Sequence, residues 1–176
     1  SFFPAHKTQP IEKPLFIIGN LRSGSTFLHR LLSRDSETFT SLTTWDIYLT
    51  PSVTQKKLTQ FVSRLDKKYL NNTLHRALYS FDRRTLGKIK IHPISFFQPE
   101  EDENIHLNIW DGYFVTFLFP FMDEMPNYQH FDDALSPEHK KRIMTFYKSM
   151  LQRHMYATGK KYFVAKNPAF SAKIVT

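Results

Sequence analysis

An unbroken apolar run near the start of the chain, Leu15 to Ile18, opens its most informative segment. A short continuous apolar run predicts a parallel β-strand that is buried on both faces. Gly19 ends the run and Gly24 follows five positions later. Apolar residues then recur at helical spacing from Phe27 to Leu32. The pattern predicts a strand, a loop bounded by glycines and the beginning of a helix.

The rest of the chain alternates between helical patterns and one further strand. Apolar residues at intervals of three and four predict one amphipathic helix over Gln55–Leu78. Ser136 and Pro137 begin another helical pattern, which continues to Gly159. Tyr162–Ala165 then predicts a second buried strand. A strand, a large helical excursion and a later strand are typical of an α/β fold with a parallel sheet flanked by helices.

The loop between Gly19 and Thr26 has the chemistry of an anion site. A helix N-terminus presents backbone N–H groups and the positive end of the helix dipole. The spacing matches the ATP/GTP-binding loop G-x-x-x-x-G-K-[ST], except that Ser25 stands in the place of the lysine. Arg22, inside the loop, offers a planar group of donors for phosphate or sulfate oxygens. The loop therefore predicts an anion site and disfavours the terminal phosphates of ATP.

The segment GNLRSGSTFLHRLLSRD resembles the 5′-phosphosulfate loop of the sulfotransferases that use 3′-phosphoadenosine 5′-phosphosulfate (PAPS). It is most similar to the bacterial-type and tyrosylprotein-like branch, and the resemblance covers nearly the whole chain. Leu21 replaces the usual proline, and Asp46 replaces the usual glutamate. Four later segments follow in the family's order: Trp45-Asp46, His92-Pro93, the acidic segment Pro99–Glu103, and Lys166-Asn167-Pro168.

This resemblance implies a P-loop-type parallel sheet and the transfer of a sulfuryl group from PAPS to an acceptor hydroxyl or amine, without a metal. The donor-binding residues that it implies are Arg22, Ser23, Gly24, Ser25, Thr26 and Phe27. Lys166 follows the second strand, and ligands bind at the carboxyl ends of parallel strands. We therefore expect Lys166 to lie beside the loop and to supply the charge that Ser25 lacks.

The general base for the acceptor is left open by the sequence. Asp46 holds the position where the family carries a glutamate, but its side chain is one methylene shorter. His92 has an ordinary pKa suited to proton transfer near neutral pH. Glu100 and Glu101 form an adjacent acidic pair, either of which could take the role. Each of the four also has a structural alternative, as a cap, a loop hydrogen-bonding group or a surface charge.

The length, charge and composition of the chain exclude some classes of function and favour others. The 176 residues suggest a single domain, and the net charge of +8 suits anionic ligands. Lysine and arginine are scattered, so nucleic acid is not an expected partner. The chain has no cysteine, which excludes disulfides and thiol catalysis. The most apolar stretch, 110–122, is too short to span a bilayer. The compartment stays open, with the cytoplasm slightly favoured.

The resembling family continues with another strand and a 3′-phosphate site. We therefore expect residues 1–176 to hold the N-terminal half of a catalytic domain. The acceptor stays open among carbohydrates, lipids, small phenols and peptides. Two other functions also stay open: a P-loop kinase or NTPase, and a non-catalytic fragment that resembles a sulfotransferase.

Overall fold

The computed structural model describes residues 2–20, 22–86, 94–119 and 125–173. Three parallel strands form the sheet in this part of the chain: β1 (Leu15–Ile17), β2 (Phe39–Thr40) and β3 (Tyr162–Lys166). The strand order is β1-β3-β2, so β3 lies between the other two. The predicted α/β fold with a parallel sheet flanked by helices is confirmed. The sequence pattern did not predict β2, which has only two residues.

Six α-helices occupy the described residues: α1 (Ser25–Leu32), α2 (Val53–Tyr69), α3 (Thr73–Thr85), α4 (Val115–Leu118), α5 (Phe131–Ala134) and α6 (Pro137–Thr158). Short 3₁₀ helices cover Pro4–Thr8, Asp102–Ile109, Tyr128–His130 and Pro168–Ala172, and Trp45–Leu49 forms a π-helical turn. None of the described helices combines the length and the hydropathy needed to cross a membrane.

Helix α6 has the bounds that the sequence predicts, because both ends are set by local capping. The Ser136 hydroxyl accepts a hydrogen bond from the backbone N–H of His139 (3.3 Å), and Pro137 occupies the first turn. Gly159 ends the helix in the left-handed conformation, with φ of 67°. The buried face of α6 packs with β3 to form the main core, which contains Leu42, Ile47, Ile105, Tyr147, Met150, Leu151, Met155, Phe163 and Ala165.

The prediction of one helix over Gln55–Leu78 was wrong, because the segment forms two helices. Asn71 and Asn72 adopt positive φ angles of 48° and 59° and end the first helix. The Asp66 carboxylate then accepts hydrogen bonds from the N–H groups of Leu74 (3.0 Å) and His75 (2.9 Å). A carboxylate at these N–H groups stabilises a new helix N-terminus, so α3 begins where α2 has ended.

The prediction that the first strand is buried on both faces was also wrong. Leu15, Phe16 and Ile18 are all exposed. β1 lies at an edge of the described sheet and pairs with β3 alone, and the apolar side chains of the next helix, α1, do not cover it because they are exposed themselves. Helix α1 also differs from expectation, since its apolar residues Phe27 and Leu28 are exposed.

Candidate active site at the carboxyl edge of the sheet

The predicted anion loop connects β1 directly to α1. Gly24 adopts a left-handed conformation with φ of 80° and forms the N-cap of the helix. The first helical hydrogen bond runs from Leu28 N to Gly24 O (3.1 Å). The N–H groups of residues 25–27 therefore have no partner within the helix. Arg22 lies exposed in the same loop, with φ of 64°. The loop presents backbone donors and a guanidinium group at one helix N-terminus.

Lys166 lies at the same edge of the sheet as this loop. Its Cα is paired in register with that of Ile17, two residues before Gly19. The next residue, Asn167, donates its N–H to the carbonyl of Ile17 (3.1 Å). Lys166 is only 5% exposed, and its ammonium group donates a hydrogen bond to Glu101 Oε1. A buried cation thus sits at the carboxyl end of the central strand, next to the strand that feeds the loop.

Glu101, the partner of Lys166, lines a cavity of about 610 Å³. Glu100 and Asn167 also line it. Much of the wall is apolar or aromatic. The larger lining side chains are Tyr48, Ile94, Tyr113, Phe114 and Tyr128. Lys166 therefore lies between the anion loop and the cavity. It does not line the cavity itself, but its ion-pair partner Glu101 does.

The acidic segment Pro99–Glu103 divides its side chains between the cavity and the core. Glu100 accepts hydrogen bonds from Thr44 Oγ1 (3.4 Å) and from the backbone N–H of Glu101 (3.0 Å). Glu100 is 8% exposed, whereas Asp102 and Glu103 are almost completely buried and do not line the cavity. The sequence predicts a helix start at this segment, and a 3₁₀ helix does begin at Asp102.

The two buried carboxylates anchor the segment beneath the cavity. Burial raises the pKa of Asp102 to about 7, although a hydrogen bond from the Tyr147 hydroxyl opposes this rise. Burial also acts to raise the pKa of Glu103, but His106 and the Lys173 ammonium group outweigh it and lower that pKa to about 2. Asp102 thus holds a proton more readily than Glu103, which stays ionised beside Lys173.

Glu103 also contacts the segment that follows Lys166. Its Oε2 accepts a hydrogen bond from Asn167 Nδ2 (3.3 Å), and its Oε1 accepts one from the backbone N–H of Tyr113 (3.0 Å). Asn167 Oδ1 accepts the N–H of Ala169 (2.9 Å), which shapes the turn after β3. The anchor therefore joins the acidic segment to the strand end that carries Lys166.

His29 is a neighbour of Lys166 that the sequence analysis did not identify. It is buried on the face of α1 that packs against β3. Burial lowers its pKa to about 4 against an opposing hydrogen bond with the Val164 backbone, and the charge of Lys166 lowers it further. The imidazole is therefore neutral near pH 7 and adds no second positive charge. The sequence signal was weak, because His29 is one of several polar residues in this helix, with Arg30 directly after it.

Asp46 lies away from the cavity lining, in a separate buried network. Lys56 Nζ donates to its Oδ1, and the N–H and hydroxyl of Thr43 donate to its Oδ2 (3.1 and 2.7 Å). Burial acts to raise the pKa of Asp46, but contacts with His154 and Lys56 outweigh it and hold the pKa well below its usual value. A carboxylate held in this state is a weak acceptor for a proton.

The remaining candidates are placed as follows. His92 lies outside the described residues. Trp45 packs edge-to-face on Phe96 with ring centroids 5.9 Å apart and does not line the cavity. Of the described aromatic side chains in the apolar stretch that begins at position 110, Tyr113 and Phe114 line the cavity wall. No group of three or more metal-ligating side chains lies within the part of the chain that the structure describes.

Comparisons with known proteins bear on the fold and the family of this chain. The crystal structure of a sulfotransferase from Mycobacterium tuberculosis matches 96% of this chain with a TM-score of 0.60 and 18% sequence identity. The match covers 42% of that protein, so the chain spans less than half the length of this structural relative. None of the curated protein sequences matches the chain. The sequence pattern of the sulfotransferase family matches residues 14–175, and the chain therefore belongs to that family.

Proposed function

We propose that this chain carries the donor loop and the acceptor cavity of a sulfotransferase that uses PAPS. The observation that carries the proposal is the position of Lys166. This buried cation is in register with the strand that feeds the anion loop, and it is paired with a carboxylate that lines the cavity. A group bound at the loop and an acceptor in the cavity would meet beside it.

The loop has the donors that a 5′-phosphosulfate requires. The residues proposed to hold it are Arg22, Ser23, Gly24, Ser25, Thr26 and Phe27. The N–H groups at the start of α1 have no partner within the helix, which suits an anion, and the left-handed Gly24 turns the chain into the helix. The exposed Arg22 guanidinium can form two parallel hydrogen bonds to sulfate or phosphate oxygens. These features support an anionic donor whose charge is met by backbone groups and one arginine.

When bound, the donor would supply a sulfuryl group joined to a phosphate leaving group. By analogy with phosphoryl transfer, the protein contributes mainly positioning and charge stabilisation. Lys166 would stabilise the negative charge that grows on the bridging oxygen as its bond to sulfur breaks. Glu101 would accept the proton of the acceptor hydroxyl or amine as that atom bonds to sulfur.

Glu101 is favoured over the other base candidates because of its position. It lines the cavity, whereas Asp46 is held by Lys56 and Thr43 in a different network. Glu100 also faces the cavity, but its two oxygens accept hydrogen bonds from Thr44 and from the Glu101 backbone. We therefore propose that Glu100 orients the segment and that Glu101 takes the proton.

The cavity wall supports an acceptor with an apolar body. Its lining includes Tyr48, Tyr113 and Phe114, which suit a ring or a short hydrocarbon, and Glu101 would meet a hydroxyl or amine at one end. Small phenols and lipid-like alcohols fit this description better than highly charged carbohydrates.

Thermal protection of the full-length protein tests the proposal. Adenosine 3′,5′-bisphosphate, the product that remains after transfer, should raise the unfolding temperature in the absence of magnesium. ATP with magnesium should raise it much less, because Ser25 occupies the lysine position of the ATP-binding loop. If ATP with magnesium protected the protein and adenosine 3′,5′-bisphosphate did not, the kinase or NTPase alternative would be favoured and the proposal would be contradicted.

A further inference from the structure

The two helices α2 and α3 form a hairpin that leaves most of its large apolar residues exposed. Phe61 is 53% exposed and Phe81 is 56% exposed, and Tyr69 at the turn is more exposed than either. The other exposed apolar residues of the hairpin are Leu58, Val62, Leu65, Leu70, Leu74, Leu78 and Tyr79. Contiguous exposed apolar surface of this kind marks a site of interaction with a partner or a membrane.

Polar side chains supply several of the contacts that attach this hairpin to the rest of the protein. Gln60 Nε2 donates to the Ala157 carbonyl (3.0 Å) at the end of α6. On α3, Asp82 accepts hydrogen bonds from Ser95 Oγ (2.7 Å) and Phe96 N (2.9 Å). Tyr79 adds one aromatic contact, because its ring packs against Phe97 with centroids 6.1 Å apart. The larger part of the apolar surface, including Phe61 and Phe81, still faces outward.

The charges on the hairpin are nearly all of one sign at its surface. Its two carboxylates, Asp66 and Asp82, are each only 3% exposed, and both are used as internal hydrogen-bond acceptors. Six lysine and arginine residues are exposed: Arg64, Lys67, Lys68, Arg76, Arg83 and Arg84. Within the described residues, none of these six forms a salt bridge. The hairpin thus combines an uncovered apolar face with an unneutralised positive charge.

We propose that the α2–α3 hairpin docks on an anionic lipid bilayer. An amphipathic helix with aromatic and leucine residues on one face and lysine or arginine beside it lies in the membrane interface. The apolar side chains would enter the acyl boundary, and the basic side chains would meet anionic headgroups. This inference does not depend on the proposed function, because it uses no residue of the candidate active site.

The charge of the hairpin favours a bilayer over two other occupants of this surface, a second copy of the chain and a nucleic acid. A second copy of the chain would bring the same six cations against each other, which is unfavourable. Nucleic acid would satisfy the cations but would leave the leucine and phenylalanine side chains in water. An anionic bilayer satisfies both features, since it supplies negative charge and an apolar interior within one surface.

Cosedimentation of the full-length protein with lipid vesicles tests the proposal. We expect binding to phosphatidylcholine vesicles that contain about one third phosphatidylserine, and little binding to pure phosphatidylcholine. Binding should weaken as salt is added, because headgroup attraction is screened. No binding to the anionic vesicles, or equal binding to both kinds, would overturn the proposal.

Paired variants identify the surface responsible. Lys67→Gln with Lys68→Gln should weaken vesicle binding about 25-fold, since each basic residue near the surface contributes about fivefold. The matched control is Lys141→Gln with Lys148→Gln, which removes the same charge from exposed positions on α6. If the control weakened binding as much as the hairpin variant did, the effect would come from net charge and the docking surface would be wrong.

A second pair removes the apolar contribution without changing charge. Phe61→Ser with Phe81→Ser should weaken binding about tenfold or more, because both rings would leave the acyl boundary. Both residues are exposed, so circular dichroism should show an intact fold. Unchanged vesicle binding would overturn the proposal. The surface would belong to a second copy instead if the original protein bound no vesicles but self-associated in sedimentation, and if this pair of substitutions abolished that self-association.

Discussion

Replacing Lys166 by methionine should lower kcat of the full-length enzyme about 10²–10³-fold, comparable with the loss of one preorganised donor in other enzymes. Methionine keeps most of the length of the side chain and removes its charge. Lys166 is 5% exposed at the strand end beside the loop, so water cannot readily replace it. The donor's affinity should fall much less, because the charge to be stabilised grows only as the S–O bond breaks.

The same variant also disturbs stability, and this effect has to be separated from catalysis. Without Lys166, the carboxylate of Glu101, whose side chain is 14% exposed, loses its ion-pair partner. Removing one partner of a buried pair costs about 3–5 kcal/mol of unfolding free energy. The double variant Lys166→Met with Glu101→Gln leaves no unpaired charge, so it should recover most of that stability. It should stay inactive, since it lacks both proposed catalytic groups.

The assay is transfer of labelled sulfate from PAPS to an acceptor hydroxyl, with kcat and KM measured separately below the unfolding temperature of each variant. Lys161→Met is the matched control, because Lys161 is exposed just before β3 begins, at the opposite end from Lys166. It should leave both constants unchanged. A Lys166 variant with intact kcat and a raised KM would refute the reasoning, because Lys166 would then act in ground-state binding.

Three further predictions concern the loop and the buried carboxylates. Arg22→Ala should weaken PAPS binding by about 1.5–3 kcal/mol in calorimetry, whereas Arg34→Ala, exposed beyond the end of α1, should not change it. Burial raises the pKa of Asp102 to about 7, so between about pH 4 and 7 the unfolded chain releases a proton that the folded protein keeps. The unfolding free energy should therefore fall as pH rises through this window, and Asp102→Asn should remove that part of the fall in urea titrations; an identical profile would contradict the assignment. Lys56→Met should lower the unfolding free energy by about 3 kcal/mol, since it leaves the Asp46 carboxylate without its cation, and a loss below about 1 kcal/mol would show a solvent-screened pair instead.

The elements that were predictable from sequence are those whose signals lie within a few residues of one another. The bounds of α6 follow from a serine and a proline at one end and a glycine at the other. The turn from β1 through Gly24 into α1 is equally local. The family's order of segments added Lys166 and the acidic pair as candidates, although their roles remain predictions.

Amphipathic spacing was less informative, because it identifies an apolar face and not what covers it. The pattern over Gln55–Leu78 is periodic throughout, yet Asn71 and Asn72 end one helix and Asp66 caps the next. The carboxylate of Asp66 takes this role through contacts eight and nine residues away, which periodicity does not show. The exposed β1 strand was missed for a similar reason, since an apolar run does not reveal which elements pack over the faces of a strand.

The pairing of charges within the candidate site was the part that a linear reading could not supply. Asp46, Glu100 and Glu101 are equivalent in sequence as possible bases, because each is a carboxylate in a family segment. In the fold, Lys56 reaches Asp46 from α2, while Lys166 reaches Glu101 across 65 positions of the chain. Residue type and local spacing thus define the anion loop and the candidate acids, whereas the packing of the acidic segment against the end of β3 determines which acid meets the lysine. Electrostatic interactions act through space. The partner of a charged side chain is therefore set by which elements are adjacent in the fold, and not by the order of the elements in the chain.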